Sequence, residues 1–306
     1  MSRIHEALKK AEQERAMTQP TPRAESPSMV LEGAAAAEPV RVMASASVLA
    51  GTAPTMGLNY ENLLARCPRT RWNPDPNTML FFSNDEHVPG TEEFRTLRSR
   101  LYQIRERQTL SKLLVTSALP KEGKSFTSAN LAQVIVRQHG RRALLIDADL
   151  RNPTLHKLLG AQPGPGLAEY LRREADEFSV IQQGPLENLF FIPAGLNTLN
   201  PAELLANELM KSLLSRLGPL FDWIIIDSPP AVPVSDAALI SGDCDGVLLV
   251  VRSNGTPVDA ARRARGEFAE RNLIGVVLNG VNPELSPYMG YYYSAYGSDA
   301  KAESKN

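Results

Sequence analysis

Residues 1–16 place Ile4, Leu8 and Ala11 near one side of a helical wheel, with charges opposite and Ser2 available as an N-cap. A helix of that length is marginal alone in water. This N-terminal amphipathic helix is therefore either frayed and loosely docked or a partner-docking element. From residue 17 the chain is rich in Pro, Ala and Ser without a period, as a flexible linker is. Between 56 and 89, apolar residues such as Trp72, Phe81 and Phe82 are scattered, and that stretch reads as an irregular segment draped on the following domain. Residues 17–89 thus form a Pro/Ala-rich linker and irregular segment.

A regular alternation begins at residue 90. Phe94, Leu97, Leu101 and Ile104 have helical spacing and predict a helix from Thr91 to Gln108. Short, β-branched apolar runs then predict strands at Lys112–Thr116, Ala143–Ile146, Leu189–Ile192, Trp223–Ile226, Val247–Val251 and Ile274–Leu278. Their continuous apolar character suits strands covered on both faces. Helical patterns fall between them, at Ser125–Gln138, Pro201–Leu217 and Val258–Arg271, with Gly140 and Gly218 near helix ends. Strand–helix alternation predicts an α/β domain with a mainly parallel sheet over 90–287. Residues 288–306 follow as a tail.

Composition narrows the function. Thirty-three basic residues against 34 acidic ones leave a net charge of -1, which argues against a surface built to grip nucleic acid. Cys67 and Cys244 cannot build a disulfide framework or a four-thiolate zinc site. No apolar run approaches the roughly 20 residues that span a bilayer. The expectation is a soluble protein of a reducing compartment.

The chemistry gathers at strand ends. After the first strand, Ala118-Leu119-Pro120-Lys121-Glu122-Gly123-Lys124-Ser125 leads into a helix. It fits the phosphate-loop pattern G-x-x-x-x-G-K-[ST] except at its first position. Such a loop aims backbone N–H groups at a phosphate; Gly123 permits close approach, Lys124 neutralises phosphate charge, and the Ser125 hydroxyl suits Mg2+. The run Leu144–Asp149 ends in Asp147 and Asp149, which face one spot if extended geometry persists. The run Trp223–Asp227 ends a second strand in Asp, followed by Ser228-Pro229-Pro230. Together they predict chemistry on a Mg2+-bound nucleoside triphosphate at the carboxyl edge of the sheet. Asn279, closing the last strand, is either a base contact or a turn former. The basic run Arg262–Arg265 is either a solvated face or a contact for lipid or a partner.

With these motifs, and with FIPAGLNTLNPAELL and DGVLLVVRSNGTP further on, the chain resembles the bacterial tyrosine autokinases (BY-kinases) of capsule and exopolysaccharide synthesis, from about Thr91 to Tyr296. The resemblance implies a P-loop NTPase fold related to the MinD/ParA ATPases. It implies nucleotide binding by Pro120 to Phe126, metal binding by Ser125, Asp149 and Asp227, and a place for Asp147 near the attacking hydroxyl. Lys124, Asp147, Asp149 and Asp227 are the catalytic set on this reading. Glu92, Arg95 and Arg98 match the family's ExxRxxR self-association motif; from spacing alone they would equally be a solvated helix face. Tyr288, Tyr291, Tyr292, Tyr293 and Tyr296 gather five of the eight tyrosines in the tail. They read as phosphoacceptors, or otherwise as a sticky tail.

The implied protein is an ATP- and Mg2+-dependent tyrosine autokinase acting in trans within a ring-like homo-oligomer. It would lie in the cytoplasm against the inner face of the membrane. A membrane-embedded activator or chain-length protein on a separate polypeptide and a cognate tyrosine phosphatase would be its partners. The alternative is a MinD/ParA-like assembly switch without kinase activity. Three positions depart from pattern: Ala118 replaces the first loop glycine, Lys121 stands where the family usually has Gly, and Leu119 occupies the place of the MinD/ParA signature lysine, which disfavours the switch.

Overall fold

The computed structural model describes residues 58–76, 78–82, 88–196, 198–270 and 272–282. The predicted N-terminal helix, most of the linker and the tyrosine tail lie outside them. The centre is a seven-stranded sheet of β1 (Lys112–Ser117), β2 (Ala143–Asp147), β3 (Gln182–Gln183), β4 (Leu189–Ile192), β5 (Trp223–Asp227), β6 (Gly246–Arg252) and β7 (Leu273–Asn279). Their order is β3-β4-β2-β5-β1-β6-β7, parallel throughout except for the β3–β4 pair. All six strands expected from the sequence are present. The two-residue β3 was too short and too polar to announce itself. The protein has the mostly parallel α/β architecture of a P-loop NTPase.

The sheet separates two apolar cores. On one face, Leu113, Val115, Leu145 and Ile225 pack against the helices Thr91–Arg105 and Lys124–Val136. On the other, Leu114, Ile146, Ile224 and Ile226 meet Met210, Leu213, Leu217 and Ile240 from the helices Glu208–Leu217 and Asp236–Ser241. Strands that must fill both cores are apolar up to their last residue, and β2 and β5 are buried along their whole length, the closing Asp147 and Asp227 included. The helix Lys124–Val136 is also buried on nearly every side, so it reads as apolar and small rather than amphipathic.

Two local departures have clear causes. Within 56–89, where the sequence shows no period, Tyr60–Arg66 is a helix whose first turn is capped by Asn59 accepting the Asn62 N–H at 2.8 Å. Leu63 and Met79 from this stretch are fully buried, and Asn130 holds it by accepting the Leu80 N–H and donating to the Thr78 carbonyl, both at 2.9 Å. The segment is therefore part of the domain packing. The single helix expected over Pro201–Leu217 is two, Pro201–Leu205 and Glu208–Leu217, because the Asn207 side chain accepts the Leu209 N–H and starts the second.

Candidate active site

β1 ends at Ser117, and the loop 118–123 delivers the chain to the helix beginning at Lys124. The turn needs left-handed backbone at Gly123 (φ +95°) and at Lys121 (φ +65°). A Cβ on Gly123 would lie 1.9 Å from the Asn279 Nδ2, so glycine is required by space as well as by φ. The loop is braced from inside. Glu122 is buried; its carboxylate accepts the Leu119 N–H at 2.8 Å and the Thr256 hydroxyl. Asn279 donates to the Glu122 carbonyl at 2.9 Å and accepts the Gly280 N–H at 2.9 Å. The side chains of Glu122, placed by the resemblance among the nucleotide-binding residues, and of Asn279, left open between a base contact and a turn former, are thus engaged in holding the loop. Phe126 packs edge-on against Phe94, with ring centroids 5.8 Å apart.

β2 and β5 are neighbours in register, with Asp147 opposite Asp227. Three strand-end carboxylates therefore come to one edge of the sheet, and two of them, Asp149 and Asp227, hold Lys124. The Lys124 Nζ lies 2.7 Å from Asp149 Oδ2 and 3.4 Å from Asp227 Oδ2. The Ser125 hydroxyl donates to Asp227 Oδ2 at 2.5 Å, and Ser128 donates to Asp227 Oδ1 at 3.2 Å. Thr154 donates to Ser125 Oγ at 2.9 Å. Burial opposes the Lys124 charge, but Asp227 and Asp149 more than offset it and push the ammonium up to about 12. Burial raises the Asp227 carboxyl, and Lys124 and Ser125 compensate only in part.

Asp147 does not share Asp149's position. β2 ends at Asp147, the Ala148 N–H bonds to the Asp227 carbonyl at 2.8 Å, and extended geometry stops there. Asp147 is fully buried, and its oxygens accept the backbone N–H groups of Asp149 (3.2 Å) and Leu155 (3.1 Å). Burial, and then the facing Asp227, raise its carboxyl well above the usual range. Asp149 instead lines a cavity of about 360 Å³ together with Pro120, Lys121, Gly123, Lys124, Ser125 and Phe126.

Among the described residues, no group of three or more His, Cys, Asp and Glu side chains forms a metal cage. Ser125, Asp149 and Asp227 nevertheless bring hard oxygen donors to one point. That set fits Mg2+, which takes one or two carboxylates and fills its octahedron with water and phosphate oxygens.

Glu92, Arg95 and Arg98, expected along one side of their helix, have different partners. Glu92 and Arg95 form an exposed ion pair, whereas Arg98 donates to the Val134 carbonyl at 2.9 Å, on the neighbouring helix. Tyr288, Tyr291, Tyr292, Tyr293 and Tyr296 lie outside the described residues. Sequence reasoning missed Arg151, which lines the cavity and makes a two-pronged ion pair to the buried Asp236 at 2.8 and 2.9 Å. Its position two residues past Asp149 was visible; its partner 85 residues away was not.

A braced loop between a parallel strand and a helix, with a lysine, a hydroxyl and strand-end carboxylates at its mouth, defines an ATP-binding P-loop protein. A family model described as an AAA domain matches residues 122–255. Tyrosine-protein kinase YwqD of Bacillus subtilis is 34% identical over 205 residues, covering 66% of this chain and 86% of that protein. Tyrosine-protein kinase CpsD of Streptococcus agalactiae is 34% identical over 206 residues, covering 66% of this chain and 88% of its own length. Among solved structures, the kinase domain of the Escherichia coli tyrosine kinase ETK is 31% identical, with a TM-score of 0.65 over 70% of this chain and 83% of that one. The chain belongs to the bacterial tyrosine-protein kinases and is a tyrosine-protein kinase of that family. Among the described residues no helix is long and apolar enough to cross a membrane.

Proposed function

We propose that the chain is an ATP- and Mg2+-dependent autokinase that phosphorylates the tail tyrosines of a neighbouring copy. The observation that carries this is Lys124, buried and held between Asp149 and Asp227 at the start of a helix whose first turn also offers the Ser125 hydroxyl. Phosphoryl transfer asks for positioning and charge stabilisation more than for covalent help. The backbone N–H groups of the loop orient the triphosphate, and Lys124 turns from the carboxylates to its β and γ oxygens. Ser125, Asp149 and Asp227 would hold Mg2+, which supplies positive charge to the β and γ phosphates. A tyrosine oxygen attacks the γ phosphorus, the bond from that phosphorus to the β–γ bridging oxygen breaks, ADP leaves, and the phenolic proton passes to Asp149, the strand-end carboxylate that lines the cavity.

On this reading Tyr288, Tyr291, Tyr292, Tyr293 and Tyr296 are the acceptors, and Glu92, Arg95 and Arg98 set the contact between copies in a ring. Each phosphate adds a charge of about -1.5 to -2, and several close together drive the ring apart. That cycle, reset by a tyrosine phosphatase and triggered by a membrane-embedded activator at the inner face of the membrane, regulates capsule or exopolysaccharide synthesis and export. The test is a mixture with ATP and Mg2+. A copy with all five tail tyrosines changed to Phe is the donor, and a Lys124→Met copy with an intact tail is the acceptor. Phosphotyrosine should appear on the Lys124→Met chain. Its absence from both chains, while wild type labels itself, would end the trans reading.

A further inference from the structure

The cavity at the phosphate loop has a mixed lining. Lys124, Ser125, Asp149, Arg151, Asn152 and Thr154 bring charged and polar groups to it. Pro229, Pro230, Pro233 and Val234 line it as well and offer no side-chain donor or acceptor. This apolar wall is rigidly mounted. The Ala231 N–H bonds to the Ser117 carbonyl at 2.8 Å, the Val232 N–H to the Ala118 carbonyl at 3.3 Å, and the Thr116 hydroxyl to the Pro229 carbonyl at 2.8 Å. Two residues beyond Val234, the fully buried Asp236 grips Arg151, which also lines the cavity.

Such a wall gives nothing to a phosphate and something to a flat ring. Stacking an aromatic side chain on apolar surface is favourable in proportion to the area it removes from water. The position selects which ring. Pro229 and Pro230 follow Asp227 directly at the end of β5, and the wall shares the cavity with Asp149 and Arg151; with Mg2+ on Asp149 and Asp227, the γ phosphate would lie at this end of the nucleotide. The adenine of the same nucleotide sits at the opposite end of the triphosphate. We infer that Pro229, Pro230, Pro233 and Val234 form the acceptor slot, in which the phenol ring of an incoming tyrosine packs so that its oxygen points toward Asp149. The inference rests on the kinase reading above and adds what makes the site take tyrosine. A serine or threonine side chain is too short to cover the wall and place its hydroxyl at the same point.

The experiment uses the full chain and a fluorescein-labelled peptide of residues 287–297, with a non-hydrolysable ATP analogue and Mg2+. Peptide binding is read by anisotropy and nucleotide affinity separately. The variants are Val234→Asp and the milder pair Pro230→Ser with Val234→Ser. Both should weaken peptide binding by about tenfold or more, as loss of pocket contacts does, while nucleotide affinity stays within about twofold of wild type. With ATP, the KM for unlabelled peptide should rise in step with the binding loss. A peptide with its tyrosines changed to Ala should not bind wild type. Unchanged peptide binding in both variants overturns the slot, as does equal binding of the Ala peptide. A parallel fall in nucleotide affinity also overturns it, since the wall would then hold the adenine. Peptide binding that depends on the wall in a protein that transfers no phosphate would sink the autokinase proposal and leave the slot standing.

Discussion

Lys124→Met tests the electrostatics of the site without any nucleotide. Lys124 has a side chain 10% exposed and is shared by Asp149 and Asp227, whose side chains are 4% and 0% exposed. Its rise from 10.5 to about 12 corresponds to about 2 kcal/mol at roughly 1.4 kcal/mol per unit. The sign follows from linkage. A cation whose folded pKa lies above its unfolded one contributes stability that is complete below 10.5 and lost as pH rises through about 12, so the full amount is present at pH 7.5. Removing one partner from a buried ion pair is costlier, about 3–5 kcal/mol, because the other is left unpaired. Here the stranded carboxylates can take up protons, which holds the loss to about 2–4 kcal/mol.

That relief makes the deficit depend on pH. Carboxyls raised above their unfolded values, as Asp147 and Asp227 already are, contribute stability at low pH that is lost as pH rises through the folded pKa. Without Lys124 they rise further, so the variant should lie closer to wild type at pH 5 than at pH 7.5. Urea denaturation of the nucleotide-free protein reads this directly, because Trp72 and Trp223 are both buried. A loss below about 0.5 kcal/mol at pH 7.5, within the range of neutral surface substitutions, would refute the argument. So would a deficit that widens toward pH 5.

Gly123→Ala should cost about 2–3 kcal/mol, from left-handed strain and from displacing the Asn279–Glu122 hydrogen bond; an unchanged melting temperature together with unchanged ATP affinity would contradict the brace. Asp149→Ala should weaken Mg2+-dependent ATP binding, whereas Asp147→Ala should lower phosphotyrosine formation more than ATP affinity, through release of the loop 149–155; equal loss of ATP binding would remove that distinction. Alanine at Glu92, Arg95 and Arg98 together should yield a monomer that still binds ATP, at a stability cost of about 1–2 kcal/mol from the lost Arg98–Val134 bond. Sedimentation of the triple variant with ATP, compared with wild type, decides it, and an unchanged assembly would return the motif to a solvated face.

What the chain showed as a sequence and what it hid divide along a physical line. β1, β2, β5 and β6 were legible because a strand covered on two faces must be apolar throughout. The phosphate loop was legible because glycine, lysine and serine are needed at adjacent positions. Features that depend on distant partners were not. Glu122 lies inside the loop motif, yet its carboxylate turns to Thr256 and its carbonyl takes Asn279, 134 and 157 residues away. The helix Tyr60–Arg66 has too few buried positions to show a period, since only Leu63 is buried. Asp147 and Asp149 face one spot only if the strand runs on past Asp147; β2 ends there, and the turn at Ala148 sends one inward and leaves the other at the cavity.

Lys121 joins the two kinds of information. Its departure from the glycine usual in the family could be read from the sequence, but only as an added cation. The backbone there is left-handed, at φ +65°, so the residue also carries about 1–2 kcal/mol of conformational strain that glycine would not. Arg252 donates to its carbonyl at 3.4 Å, and the loop bracing by Glu122 and Asn279 acts on the next residue. The strained position is thus held by contacts made beside it. A lysine is tolerated because the loop's shape is imposed by β6 and β7 and does not depend on glycine at this turn, whereas at Gly123, where Asn279 itself fills the space, no such exchange is open.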